Sequence, residues 1–200
     1  MNLDDAVAHY EDHGYVVLPG LLAGPVLDEL RALTDRVEAA AAEVAEDNAW
    51  YDFSTDMEGN RTVQRIKKPN RIDPFYAALA GNDMIMALAE KLIGPMIRLN
   101  HTKINMKSAK GGDALEWHQD WAFAPHTHMG TTVASILIDG ASAANGAMQV
   151  IAGSHKGPLI DHHDEDGYFV GAVLSDKIDP SKAVLLEGPP GTVSFHHPMT

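Results

Sequence analysis

The sequence contains no cysteine. Disulfides, thiolate metal sites, iron–sulfur clusters and cysteine nucleophiles are therefore excluded, and any bound metal must take histidine and carboxylate ligands. Basic residues are in deficit: 15 Lys plus Arg stand against 28 Asp plus Glu, a formal net charge of −13. That balance argues against nucleic acid, an anionic membrane or any polyanion held through overall charge, while leaving room for a local basic pocket. Long apolar runs are missing too, and none approaches the roughly 18 residues of a membrane span. The opening Met1-Asn2-Leu3-Asp4-Asp5 is acidic and lacks the basic-then-apolar pattern of a secretory leader, so the sequence reads as cytoplasmic. What is present, 200 residues with 45% hydrophobic and 22% charged content, describes one soluble domain large enough to bury a core.

Histidine is unevenly distributed. Of eleven, only His9 and His13 precede residue 100, so chemistry is expected in the second half. Residues 1–95 read as a largely helical support. Asn2 predicts the cap of a helix running to about His13 and closed by Gly14. Tyr15-Val16-Val17-Leu18 reads as a short strand. Pro25 opens a long helix with Val26, Leu30, Leu33, Val37, Ala41 and Val44 on its core stripe, and a third helix starts near Asn82 and stops at Gly94-Pro95. Residues 96–200 break into short runs punctuated by Gly, Pro, Asn and Asp, the pattern of a strand-rich sandwich or barrel. The expected strands are 97–106, 114–120, 131–139, 147–152, 168–174, 183–186 and 192–197, with a tight turn at Asn145-Gly146.

Within Glu116-Trp117-His118-Gln119-Asp120-Trp121, His118 and Asp120 stand two apart on an expected strand. Alternation puts both side chains on one face, where an imidazole and a carboxylate can share a metal ion. A second, distant His would complete the two-His-one-carboxylate set of non-heme Fe(II) oxygenases, which leaves positions open for co-substrate and oxygen. By spacing alone, His-x-Asp is equally compatible with a solvated pair or a hydrogen-bonded core histidine.

Together with Asn145-Gly146, the segment Gly153-Ser154-His155-Lys156-Gly157-Pro158-Leu159 and the opening His13-Gly14-Tyr15-Val16-Val17-Leu18-Pro19-Gly20-Leu21-Leu22, this motif resembles the phytanoyl-CoA dioxygenase-like family of Fe(II)- and 2-oxoglutarate-dependent oxygenases, from about residue 9 to the last residue. The resemblance implies a mainly β chain with N-terminal helices, folded as a double-stranded β-helix (a cupin-like jelly roll). It implies His118 and Asp120 as iron ligands near the barrel mouth, with Fe(II), 2-oxoglutarate and O2 as cofactor and co-substrates. Asp120 stands where halogenating relatives carry a small residue, so hydroxylation with release of succinate and CO2 is implied. It is also expected to contribute little to packing.

The sequence departs from the family at its end. The family continues into a His-Gly-Ser segment that gives the distal iron ligand, then an Arg that grips 2-oxoglutarate. Here the chain runs Gly191-Thr192-Val193-Ser194-Phe195-His196-His197-Pro198-Met199-Thr200. The expectation is that the chain is truncated within its last core strands, with His196 or His197 as a substitute third ligand. Otherwise one of that pair packs inward and the other is solvated.

Candidate co-substrate residues are Arg65 and Lys67, which share a face if their stretch is extended and which otherwise form a solvated basic strand. Asn105 alternates with His101 and Lys103 toward a pocket or, alternatively, toward a wet outer face with Ile104 and Met106 inward. Phe123 and His126 are candidates for substrate contact or loop packing. His155 reads as a turn residue, and His162-His163-Asp164-Glu165-Asp166 as a mobile, solvated acidic loop. A small molecule is the expected substrate, since the net charge and the lack of an evident phosphate-binding loop disfavour an acyl-CoA. The competing readings are a non-catalytic or incomplete metal-binding jelly roll and a cupin-like hydrolase or isomerase.

Overall fold

The computed structural model describes residues 2–111, 115–173 and 177–200. Asn2 caps α1 (Leu3–His13) by accepting the Asp5 amide on its side chain at 2.8 Å, and Gly14 ends the helix at φ 82°. Both ends fall where the sequence puts them, because a short side-chain acceptor and a residue without Cβ are what those backbone positions require. β1 (Tyr15–Leu18) follows directly. α2 (Pro25–Ala40) buries Leu30, Leu33 and Val37 and passes into a 3-10 turn (Ala41–Glu43) that buries Ala41. The expected stripe is therefore present from Leu30 to Ala41, while Val26 at its start is exposed and Val44 lies past the helical turn in extended backbone.

The first half also contains a hairpin, β2 (Tyr51–Thr55) and β3 (Arg61–Lys67), which the sequence reading does not specify. A register shift between Asp52 and Phe53 breaks the two-residue alternation that would have announced it. The short helices α3 (Pro69–Ile72) and α4 (Pro74–Ala80) lead to α5 (Asp83–Ile93), capped by Asn82 as expected. Among the described residues no helix is long and apolar enough to cross a membrane.

The second half supplies β4 (Lys103–Asn105), β5 (Val133–Leu137), β6 (Gln149–Ile151), β7 (Ala183–Leu185) and β8 (Thr192–His196). These lie within five of the expected strands and are shorter than them. The expected strands at 114–120 and 168–174 are not formed among the described residues; positions 114 and 174 lie outside them. Backbone groups there find scattered partners instead of a ladder: Val173 donates to the Trp117 carbonyl at 2.7 Å and Val170 to that of His162 at 2.9 Å. The mainly β expectation is thus corrected to a mixed α/β chain with small antiparallel sheets.

Among the described residues three sheets are formed, ordered β1-β8-β5, β2-β3-β4 and β6-β7. Both three-stranded sheets draw strands from either side of residue 95. A 3-10 turn (Ala143–Asn145) with Gly146 at φ 78° leads from β5 toward β6. Those strands belong to different sheets, so the Asn-Gly pair makes a turn and not a hairpin. β8 lies between β1 and β5 and is buried at all five positions, its polar Thr192, Ser194 and His196 included. Its Val193 and Phe195 join Val16, Leu30, Ile66 and Leu88 in one apolar cluster.

Candidate metal and co-substrate site

His118 and Asp120 do not lie on a strand. Gln119 between them is extended (φ −108°, ψ 123°), and Asp120 opens a 3-10 turn (Asp120–Ala122). One extended residue suffices to turn both flanking side chains to the same side, so the expected pairing survives without the expected strand. The Nδ1–H of His118 donates to the Glu116 carbonyl at 2.7 Å, leaving Nε2 to face Asp120 Oδ1 at 3.5 Å. Fixing one ring nitrogen through a backbone carbonyl is how proteins orient a metal-binding imidazole.

β8 brings a third group. The Nε2–H of His196 donates to Asp120 Oδ2 at 3.0 Å, and its buried Nδ1 has no partner among the described residues. His197 turns the other way: its Nδ1 accepts the Met199 amide at 3.1 Å and its ring lies against His155 and Tyr10. Strand alternation thus separates the pair, as the sequence predicts, but His197 is half-buried and not solvated. Burial opposes ionisation of Asp120, yet hydrogen bonds and charge from His118 and His196 outweigh it and hold the carboxyl well below its usual range. The hydrogen bond to Asp120 pushes His118 upward, against desolvation. Among the described residues no three His, Asp or Glu side chains are grouped to hold a metal ion.

The three expected co-substrate residues do come together. Arg65 and Lys67 share one face of β3, and Asn105 pairs with Arg65 across β4. Arg65 donates from Nε to Asn105 Oδ1 at 3.2 Å and from a terminal nitrogen to Asp52 Oδ2 at 3.3 Å, while Lys67 donates to Asp52 Oδ1. Asp52, on β2, is a member of this cluster that sequence reasoning missed, because the register shift hides its pairing with β3. Ile104 and Met106 pack toward the core and Lys103 and Asn105 are exposed, matching the outer-face alternative. That face is still close enough to the His118–Asp120 pair for the Lys103 charge to act on His118.

Phe123 lies edge-on to His118 with ring centroids 5.4 Å apart, so it flanks the site directly. His126 packs edge-on against Trp121 at 5.8 Å, which favours its loop-packing reading. His155 meets the Glu11 carbonyl at 3.1 Å beside the 3-10 turn Ser154–Lys156, as expected of a turn residue. The reading of residues 162–166 as a solvated loop is corrected at His162, which is 2% exposed and accepts the Gln119 amide on Nε2 at 2.9 Å. Nothing in its acidic sequence neighbourhood signals this, since the amide it accepts lies 43 positions away.

Two histidines and a carboxylate thus meet where β8, the central strand of a small antiparallel sheet, ends. The chain belongs to the phytanoyl-CoA dioxygenase (PhyH) family, whose model matches residues 10–200. It is 34% identical over 197 residues to a probable alpha-ketoglutarate-dependent hypophosphite dioxygenase from Stutzerimonas stutzeri, covering 96% of this chain and 68% of that protein. It is 28% identical over 215 residues to an L-proline trans-4-hydroxylase from Streptomyces griseoviridis, covering 97% and 77%. Its fold is similar to that of EctD from S. alaskensis, crystallised with bound Fe, at a TM-score of 0.77 and 20% identity over 98% of this chain and 68% of that one. At that identity the likeness speaks to the fold alone.

Proposed function

We propose that the chain is an Fe(II)- and 2-oxoglutarate-dependent dioxygenase that hydroxylates a small organic molecule, with succinate and CO2 as co-products. The facing of His118 Nε2 and Asp120 Oδ1 at 3.5 Å carries this reading. With Nδ1–H committed to the Glu116 carbonyl, these two electron-rich atoms demand positive charge between them. A proton on His118 meets that demand, and a divalent cation meets it with two ligand bonds. The alpha-ketoglutarate-dependent relative supports the same choice. The small sheets around β8 are read as parts of a double-stranded β-helix, and the N-terminal helices as its support within a single domain.

In this reading His118 and Asp120 hold the iron, and His196 fixes the carboxylate through Oδ2 so that Oδ1 stays turned toward His118. The iron centre, when bound, supplies oxidative decarboxylation of 2-oxoglutarate coupled to hydroxylation of an unactivated C–H bond. Arg65 and Lys67, two cations against the single carboxylate of Asp52, receive a carboxylate of 2-oxoglutarate, and Asn105 adds an amide at the same place. Phe123 covers the edge of His118 and keeps water from it.

Adding Fe(II) and 2-oxoglutarate under anaerobic conditions is expected to give a visible charge-transfer band, and oxygen then to give succinate. A protein that yields neither is not an oxygenase, and the missing band would return a cupin-like hydrolase. A non-catalytic metal-binding jelly roll is the second reading, favoured by the absence, among the described residues, of a third grouped ligand. It predicts metal binding without succinate. Arg65→Ala and Lys67→Ala are each expected to raise the KM for 2-oxoglutarate about ten- to a hundredfold, the range of a lost charge-assisted hydrogen bond, with kcat nearly unchanged. Unaltered KM in both variants would make this face a solvated strand.

A further inference from the structure

Gln119, the residue whose extended backbone aims both proposed ligands, is held by His162. The His162 ring is 2% exposed, and both of its nitrogens are engaged by backbone groups that permit only one protonation pattern. Nδ1 stands 2.7 Å from the Ile160 carbonyl, which can only accept, so it carries the proton. Nε2 stands 2.9 Å from the Gln119 amide, which can only donate, so it offers a lone pair. The result is a neutral imidazole in a single tautomer. Gln119 completes the arrangement: its Oε1 accepts the Ile160 amide at 2.8 Å, and its Nε2 donates to the Met199 carbonyl at 2.8 Å. Ile160 thus gives its amide to the Gln119 side chain and its carbonyl to His162, closing a ring of hydrogen bonds that ties the segment after Pro158 to the turn bearing His118 and Asp120. The His162 ring stacks on Phe169 at 6.3 Å and lies edge-on to Phe123, the residue beside His118.

We propose that His162 is a positioning residue for the His118–Asp120 pair, its Nε2 lone pair fixing the Gln119 peptide plane and with it the separation of the two ligands. This inference rests on the metal site proposed above. A buried imidazole serving only to fill space would act through its ring faces. The proposed role depends on the acceptor at Nε2, and the two can be separated by substitution. His162→Phe keeps the ring and loses both hydrogen bonds. His162→Asn places an amide nitrogen where Nδ1 was and leaves the Gln119 amide without an acceptor. His162→Gln places a carbonyl oxygen where Nε2 was and restores that acceptor.

The test measures Co(II) affinity of the full chain by calorimetry and hydrogen exchange at the Gln119 amide by NMR, with melting temperature as the control for folding. His162→Asn and His162→Phe are expected to weaken Co(II) binding about 10- to 100-fold, the usual effect of losing a group that orients a metal ligand, and to speed exchange at Gln119 at least about tenfold. His162→Gln is expected to stay within about threefold of wild type on both readouts. Because the Phe variant loses both hydrogen bonds at once and can fail to fold, the Asn and Gln pair decides the question. Wild-type affinity in His162→Asn, or equal losses in Asn and Gln, overturns the positioning role. His118→Ala and Asp120→Ala serve as references. If they abolish Co(II) binding while the His162 variants bind normally, only this inference fails; if they leave Co(II) binding unchanged, the metal site itself is wrong and this inference falls with it.

Discussion

Replacing Asp120 by Ala is expected to reduce succinate formation from 2-oxoglutarate to background, a loss of more than the roughly hundredfold that follows from merely disturbing a ligand's surroundings. Among the described residues the Asp120 carboxylate is the one that faces His118 Nε2, so without it the proposed iron loses both a ligand bond and its charge compensation. The structure adds a cost that the sequence does not predict. Asp120 bridges two imidazoles, and its removal leaves His118 and the largely buried His196 without their partner. At about 1–3 kcal/mol for stranded polar groups, the melting temperature of a protein of this size should fall by roughly 2–12 °C. Asp120→Asn separates the two effects: its side-chain oxygen still accepts from His196, so its melting should stay near wild type while turnover is lost. Succinate formation at the wild-type rate in Asp120→Asn would show that Asp120 is not the anionic ligand.

Gly191→Ala is expected to be the most destabilising Gly→Ala change among the described glycines. Gly191 sits at φ +79° immediately before β8, where an added Cβ would stand 1.9 Å from the Leu22 carbonyl oxygen, a backbone atom with no freedom to rotate away. The same residue accepts the Leu22 amide at 2.9 Å and donates to the Leu137 carbonyl at 2.8 Å. It therefore sets where β8 enters between β1 and β5. A left-handed conformation alone costs Ala about 1–2 kcal/mol. Parting these segments adds the loss of a buried strand end, which places the total in the exceptional range above about 4 kcal/mol. Gly59→Ala isolates the conformational part, because Gly59 has φ +84° with nothing within 4 Å of the added Cβ. Melting temperatures should show a fall of at least roughly 8 °C for Gly191→Ala and a small one for Gly59→Ala. Equal shifts would mean that the close approach to Leu22 carries no weight. Because β8 carries His196, metal binding should be impaired along with folding.

Both effects follow from side chains and backbone positions whose partners are distant in sequence, and that marks the boundary of what the sequence reveals. α1, α2 and α5 are legible because helix ends obey local rules: Asn2, Asn82, Pro25 and Gly14 each satisfy or terminate backbone hydrogen bonds within a few residues. The pairing of the two proposed ligands is legible for the same reason. His118 and Asp120 need only one extended residue between them to share a side, so the pairing holds although the strand expected around them does not form. The β2–β3 hairpin is obscured because its register shift destroys the alternation a reader looks for.

The strand face of Arg65, Lys67 and Asn105 occupies an intermediate place. Alternation assigns Arg65 and Lys67 to one side, but only the antiparallel pairing of β3 with β4 brings Asn105 opposite Arg65, and only the folded hairpin inserts Asp52 between the two cations. The choice between His196 and His197 is similar. Period-two geometry states that they diverge, and the packing of β8 between β1 and β5 decides that His196 is the one reaching Asp120.

By itself, then, the sequence determined the helices with their caps, the exclusion of thiolate chemistry, and the two candidate ligands, all of which depend on residue type and spacing over a few positions. Tertiary structure alone decided the mixed architecture of small sheets, the burial of His162 against Gln119, the salt bridges to Asp52 and the contact of His196 with Asp120. The last three join groups from 13 to 76 residues apart, and no local pattern encodes a hydrogen bond whose partner is chosen by the fold.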